Sequence, residues 1–168
     1  TIATLAAAGG SVALIYRSAG SGNVSTGWAA LEIDASTNTT GSGQMLRLIQ
    51  LHDVVNTDIP IEPDPDGFES IISPEDLMNR WIKGGTVGLA GINLDCDDRA
   101  LFLAALCYHA GIPADVVLLD LDGDGQLDHA GVVMMIKGQR VFAETIVPGA
   151  KLGWAPVAKG RTEVISVP

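Results

Sequence analysis

The stretch from Asn93 to Pro113 leaves the chain little choice of structure. Asn93 or Asp95 can cap a helix beginning at Asp95 or Cys96, and Ala100, Leu101, Leu103, Ala104, Ala105, Leu106 and Cys107 make that helix apolar nearly all round. Gly111, with Pro113 two residues on, ends it. A helix without a polar face must be covered from several sides, so this one is central. Three strand-like runs follow, Ala114 to Leu119, Ala130 to Ile136 and Val141 to Val147, joined by a carboxylate-rich turn and by Lys137-Gly-Gln-Arg140. A helix followed by an antiparallel sheet is an α+β order. With 168 residues, 47% of them hydrophobic, the chain can enclose one sizeable core but not two full domains.

The first sixteen residues, Thr1 to Tyr16, carry no charge and end at Arg17. A membrane-spanning helix, and so a membrane or particle anchor over residues 1–17, is one expectation, although the run is a little short of the roughly 20 residues that cross a bilayer. Ala6 and Gly10 have the small-xxx-small spacing of closely packed membrane helices. A buried Ala-rich helix, or a strand pair broken at Gly9-Gly10, is the soluble alternative. Residues 18–43 are rich in Ser, Thr, Gly and Asn and read as a tether, interrupted by Trp28-Ala-Ala-Leu-Glu-Ile33. The folded domain then occupies residues 44–168. Within it, Met45 to Val55 suits a helix or a strand, and the prolines between Ile59 and Gly67 impose an extended path. Ser73-Pro-Glu-Asp76 opens a helix with Leu77, Trp81 and Ile82 as its apolar face and Gly84-Gly85 as its end.

Ten basic residues against twenty acidic ones give a formal charge of −10, which lacks the positive field that phosphate backbones require. Nucleic acid is a poor partner for such a chain. Cys96 and Cys107 lie on one helix with Cα atoms roughly 16 Å apart, beyond the disulfide limit of about 7 Å. Both are expected to be free thiols, with Cys107 serving as a small apolar core residue.

A cysteine in the first turn of a helix meets unsatisfied backbone N–H groups and the positive end of the dipole, which stabilise a thiolate. Asp95, Asp97 and Asp98 oppose this, so Cys96 needs an imidazole partner to react. His109 lies about 220° round the same helix and faces away. His52 has an ordinary surface explanation. His129 opens an apolar strand directly after the acidic turn and is the favoured base. Glu144 sits within Val-Phe-Ala-Glu-Thr-Ile-Val, where an unpaired carboxylate is costly. A two-residue turn at Gly138-Gln139 would put His129 and Glu144 on the same sheet face. That register also opposes Glu144 to Val133 and leaves His129 roughly 13 Å along the strand, so contact requires a bulge or an earlier turn.

Together, Asn93-Leu-Asp-Cys96-Asp-Asp-Arg, the apolar helix to Ala114, Asp128-His129-Ala130 and Val141-Phe-Ala-Glu144-Thr145 resemble the transglutaminase-like superfamily of papain-type cysteine enzymes. The resemblance spans Asn93 to about Trp154. It implies a papain/transglutaminase-like α+β fold in which the cysteine helix packs on an antiparallel sheet. Cys96 would be the nucleophile, His129 the base and Glu144 the acid that holds the imidazole. The implied chemistry is acyl transfer from a protein or peptide amide to water or an amine, with no cofactor required. An oxyanion would be met by the Cys96 N–H and a side chain such as Trp81 or Asn93. Leu94 replaces the family's usual glycine, and Gly131 stands where a larger residue is common. A membrane-attached or particle-embedded structural protein that uses an inactive version of this fold is the competing expectation.

Asp120, Asp122, Asp124 and Asp128 occupy positions 1, 3, 5 and 9 of a calcium-loop pattern with Gly125 at 6, but position 12 is Gly131. Calcium is therefore a candidate ligand, against the alternative of a solvated hairpin turn. Trp28, Trp81 and Trp154 read first as packing anchors.

Overall fold

The computed structural model describes residues 2–8, 11–17, 41–65, 68, 70–136 and 138–166. The apolar start forms two strands, β1 (Ile2–Ala8) and β2 (Ser11–Arg17), paired antiparallel with Ala8 opposite Ser11. This is the strand pair, not either helical alternative. Thr4, Val12 and Ile15 favour extended backbone. Among the described residues no helix is long and apolar enough to cross a membrane. Trp28 and the tether residues 18–40 lie outside the described residues, whereas 41–43, read as the tether's end, already belong to a helix.

That helix, α1 (Gly41–Asp58), buries Leu48, Leu51, His52 and Val55, with Ile59 just beyond its end. The spacing is one helical stripe. In α2 (Pro74–Gly84) the Ser73 side chain accepts the Asp76 N–H at 3.0 Å, and Pro74 takes the first turn. Pro74, Leu77 and Met78 are its buried residues, Trp81 is half-buried, and Ile82, expected on the apolar face, is 53% exposed. A 3-10 turn (Gly85–Leu89) follows α2.

The central helix α3 (Cys96–His109) is buried continuously from Asp98 to Cys107. Asp95 caps its start through the Asp97 N–H. The buried Asp98 carboxylate accepts the Ile72 N–H at 2.6 Å and ties the segment before α2 to this end of α3. The other end closes with Ile112 N–H on the Cys107 carbonyl at 2.8 Å and Gly111 N–H on the Tyr108 carbonyl at 3.0 Å. Gly111, at φ +69°, supplies the left-handed residue this double closure needs.

β3 (Ala114–Leu119), β4 (His129–Ile136), β5 (Gln139–Ala143) and β6 (Thr162–Ser166) form an antiparallel sheet in the order β5-β4-β3-β6. The architecture of the described residues is α+β. One side of α3 meets β3 and β4, and α1 and α2 pack on it elsewhere. The edge strand β6 was not anticipated, since it is mostly exposed and lacks an apolar run. β5 also differs from the expected Val141–Val147 strand: it starts at Gln139 and ends at Ala143, just before Glu144.

Candidate active site

The register of β4 against β5 settles the distance that the sequence left open. Ile136 pairs with Gln139, with Gly138 at φ +76°, so the reversal comes one residue earlier than Gly138-Gln139. Val133 consequently opposes Phe142 rather than Glu144. The slip is two residues along the ladder, so every side chain keeps its face while Glu144 moves toward the start of β4. His129 Nε2 and Glu144 Oε2 are 2.8 Å apart, with His129 6% and Glu144 0% exposed.

The same register explains Gly131. A Cβ there would run into the Phe142 ring, which crosses from β5 and fills the space a larger residue at 131 would take. Phe142 thus substitutes, from the neighbouring strand, for the bulk missing from β4.

Cys96 begins α3 and is half-buried. Of the groups acting on its thiol, the backbone N–H of Ala130, the residue after His129, is one that favours the thiolate. Cys96 thus opens the helix that packs on β4, and His129 opens β4 itself. Nε2 of His129 is engaged by Glu144, which leaves Nδ1 as the ring nitrogen available to another group. Burial first, then Asp95 and Asp97, push the thiol up to about 12 against the opposing N–H groups of Ala130 and Cys96. The acids act as the sequence indicated. An isolated thiol of this kind stays protonated at neutral pH, so its proton must have somewhere to go.

Glu144 is held on both carboxylate oxygens. Oε2 faces His129, and Oε1 accepts the Thr145 and Ile146 N–H groups at 2.9 and 3.0 Å. Burial raises the carboxyl, but the His129 hydrogen bond and charge and these two N–H groups outweigh it and hold Glu144 below its ordinary range. The group is a carboxylate at neutral pH despite full enclosure.

Two residues that the sequence did not single out, Arg99 and Asn56, and one that it placed at the surface, His52, surround it. Arg99, one turn along α3 from Cys96, is 1% exposed and donates through Nε to the Thr145 carbonyl at 2.6 Å. It also reaches the Ile59 and Pro60 carbonyls and Asn56 Oδ1. Burial lowers its guanidinium to about 10, while the charge of Glu144 works in the opposite direction. His52, expected at the surface, is 3% exposed, and its Nε2 is 2.7 Å from the Glu144 carbonyl. Its place four residues after Leu48 and three before Val55 was the available signal. Asn56 lies one turn on from His52, with Nδ2 3.4 Å from the same carbonyl.

Of the oxyanion candidates, Trp81 lies half-buried on α2 against the core. Asn93 is half-buried beside Leu94, whose backbone pairs with Glu62. Trp154, read as an anchor, is 46% exposed. Cys107 is fully buried, 3.6 Å from the Met134 sulfur, and burial lifts it to about 12. Neither cysteine is disulfide-bonded.

In the acidic turn, Asp120, Asp122 and Asp124 offer oxygens within 4.8 Å of one another. Asp120 is enclosed, and its carboxylate accepts the Gly123 and Gly125 N–H groups at 2.6 and 2.9 Å. Dehydration raises that group, but the N–H groups of Gly123, Gly125, Arg161 and Asp124 together hold it below its ordinary value. Asp128 instead accepts the Leu121 N–H at 2.9 Å, and Gly131 brings no carboxylate at all. The backbone of Asp120 is bonded to residues 159–161, and Asp128 N–H to the Leu119 carbonyl, so the turn fixes where β4 begins.

Comparison of the chain with protein-family models, with curated proteins and with solved structures gives no match.

Proposed function

We propose that this chain carries out thiol-dependent acyl chemistry on a protein or peptide amide, through a Cys96–His129–Glu144 triad on a papain/transglutaminase-like fold. The observation that carries this is the buried His129–Glu144 pair at the start of β4, the strand on which the Cys96 helix packs. In this scheme the thiol proton passes to His129 Nδ1 as sulfur attacks the amide carbonyl carbon, forming the C–S bond. Collapse of the tetrahedral adduct breaks the C–N bond, and the imidazolium gives its proton to the departing amine. Water or a second amine then attacks the thioester, its proton goes to His129, and sulfur departs as the thiolate. Glu144 fixes the imidazole tautomer and stabilises its charged form. The Cys96 N–H, with Trp81 or Asn93, would meet the oxyanion.

A second reading has one observation in its favour: the thiol is pushed up to about 12, as in a buried cysteine without chemistry. Under that reading the fold serves as a structural or interaction module, held to a membrane or particle by residues 1–17. Iodoacetamide near neutral pH separates the two. A competent site is alkylated at Cys96 at least tenfold faster than at Cys107, whereas equally slow labelling of both would leave only the scaffold.

The acidic turn fits calcium in part. Asp120, Asp122 and Asp124 could hold the ion, and its role would be to stiffen the start of the His129 strand rather than to take part in the reaction. At millimolar calcium the melting temperature is expected to rise, and Asp122→Ala to remove the rise; no shift in the parent protein would dismiss calcium binding.

A further inference from the structure

Glu144 is held from behind as well as in front. Its backbone carbonyl faces His52 Nε2 at 2.7 Å and Asn56 Nδ2 at 3.4 Å. A carbonyl only accepts, so Nε2 of His52 must carry the proton and donate it. The orientation of Asn56 is set independently, because Arg99 donates to its Oδ1 at 3.2 Å and leaves the amide NH2 directed at Glu144. Asn56 Nδ2 is also 2.9 Å from His52 Nε2; with Nε2 donating to the nearer carbonyl at 2.7 Å that contact is not a hydrogen bond, and the Asn56 amide faces the same carbonyl from farther off. Glu144 stands just past the end of β5, whose ladder with β4 stops at Ala143. α1 supplies a restraint on its carbonyl.

We infer that His52 is a positioning residue for Glu144, anchoring the acid's main chain from α1 so that the carboxylate stays aligned on His129. This rests on the cysteine-site reading above and adds to it a dependence on a helix distant in sequence. His52 also lines an open groove of about 520 Å³ between α1 and residues 149–152, so the anchor lies just beneath the surface.

The substitution His52→Leu keeps an apolar filling but removes the donor, and His52→Gln places an amide N–H near the position of Nε2. In the full chain, His52→Leu should slow iodoacetamide labelling of Cys96 about tenfold or more, and His52→Gln should restore most of it. A structural role alone would not move the second readout, the His129 Nε2 proton followed by ¹⁵N-edited NMR. That signal should persist in the parent and the Gln variant and be lost to exchange in the Leu variant. If His52→Leu folds yet labels at the parent rate with the proton signal intact, the inference is overturned. Should His52→Leu fail to fold, His52→Met, an adaptable apolar side chain that also lacks the donor, takes its place under the same criteria. A parent protein whose Cys96 is inert sinks the enzymatic reading, and the NMR signal alone then judges His52.

Discussion

His129→Gln is expected to reduce Cys96-dependent turnover by a factor on the order of 10³ to 10⁴, the loss typical when one member of a cooperating triad is removed. The pH profile of alkylation makes the cause visible. Without the imidazole, Cys96 reacts only as its own thiolate. Because burial, Asp95 and Asp97 hold that thiol near 12, the rate should climb about tenfold per pH unit through pH 9 and beyond without levelling. On the proposed triad the parent should react much faster at pH 7, with His129 accepting the proton that solvent cannot easily remove. Identical profiles for parent and variant would mean that the two residues are neighbours without being partners.

Arg99→Met carries the largest expected cost in stability. The guanidinium serves the Thr145, Ile59 and Pro60 carbonyls and Asn56 Oδ1, all with the side chain enclosed. Its loss strands those acceptors and withdraws a favourable charge from Glu144. Breaking a buried network of this kind costs about 3–5 kcal/mol, a fall in Tm on the order of 10 °C. Arg80→Met, at an exposed position on α2, is the control and should stay within about 0.5 kcal/mol. Arg99→Lys should recover only part of the loss, because one ammonium cannot reproduce the planar fork that reaches three elements at once. Thermal unfolding of the three variants measures all of this, and equal Tm values would show that the network is dispensable.

Where local chemistry dictates structure, the sequence was legible. The Asp95 cap, the apolar run and the Gly111 stop define α3 almost to the residue, because each acts within a turn of its own position. Ser73-Pro74 does the same for α2. The pairing of His129 with Glu144 was half legible: alternation gave the shared face, but the distance depended on a turn displaced by one residue. Propensity barely distinguishes Lys137-Gly138 from Gly138-Gln139, and tertiary packing of Phe142 over Gly131 supports the observed choice. Arg99 and His52 were missed for a different reason. A cation and a histidine on helices read as solvent-facing until the fold brings up carbonyls from residues 59, 144 and 145, and nothing local announces those partners. β6 escaped because an exposed edge strand needs no apolar alternation.

Surface hairpins are ordinarily where a protein family gains and loses residues most freely. The connection from Ile136 to Gln139 does not have that freedom. One inserted residue that shifted the β5 register would rotate Glu144 to the opposite side of the sheet, and two would carry it roughly 7 Å down the strand, in either case out of reach of His129. A short exposed reversal therefore sets the spacing of the buried pair, and its length should be as intolerant of insertion or deletion as the pair is of substitution.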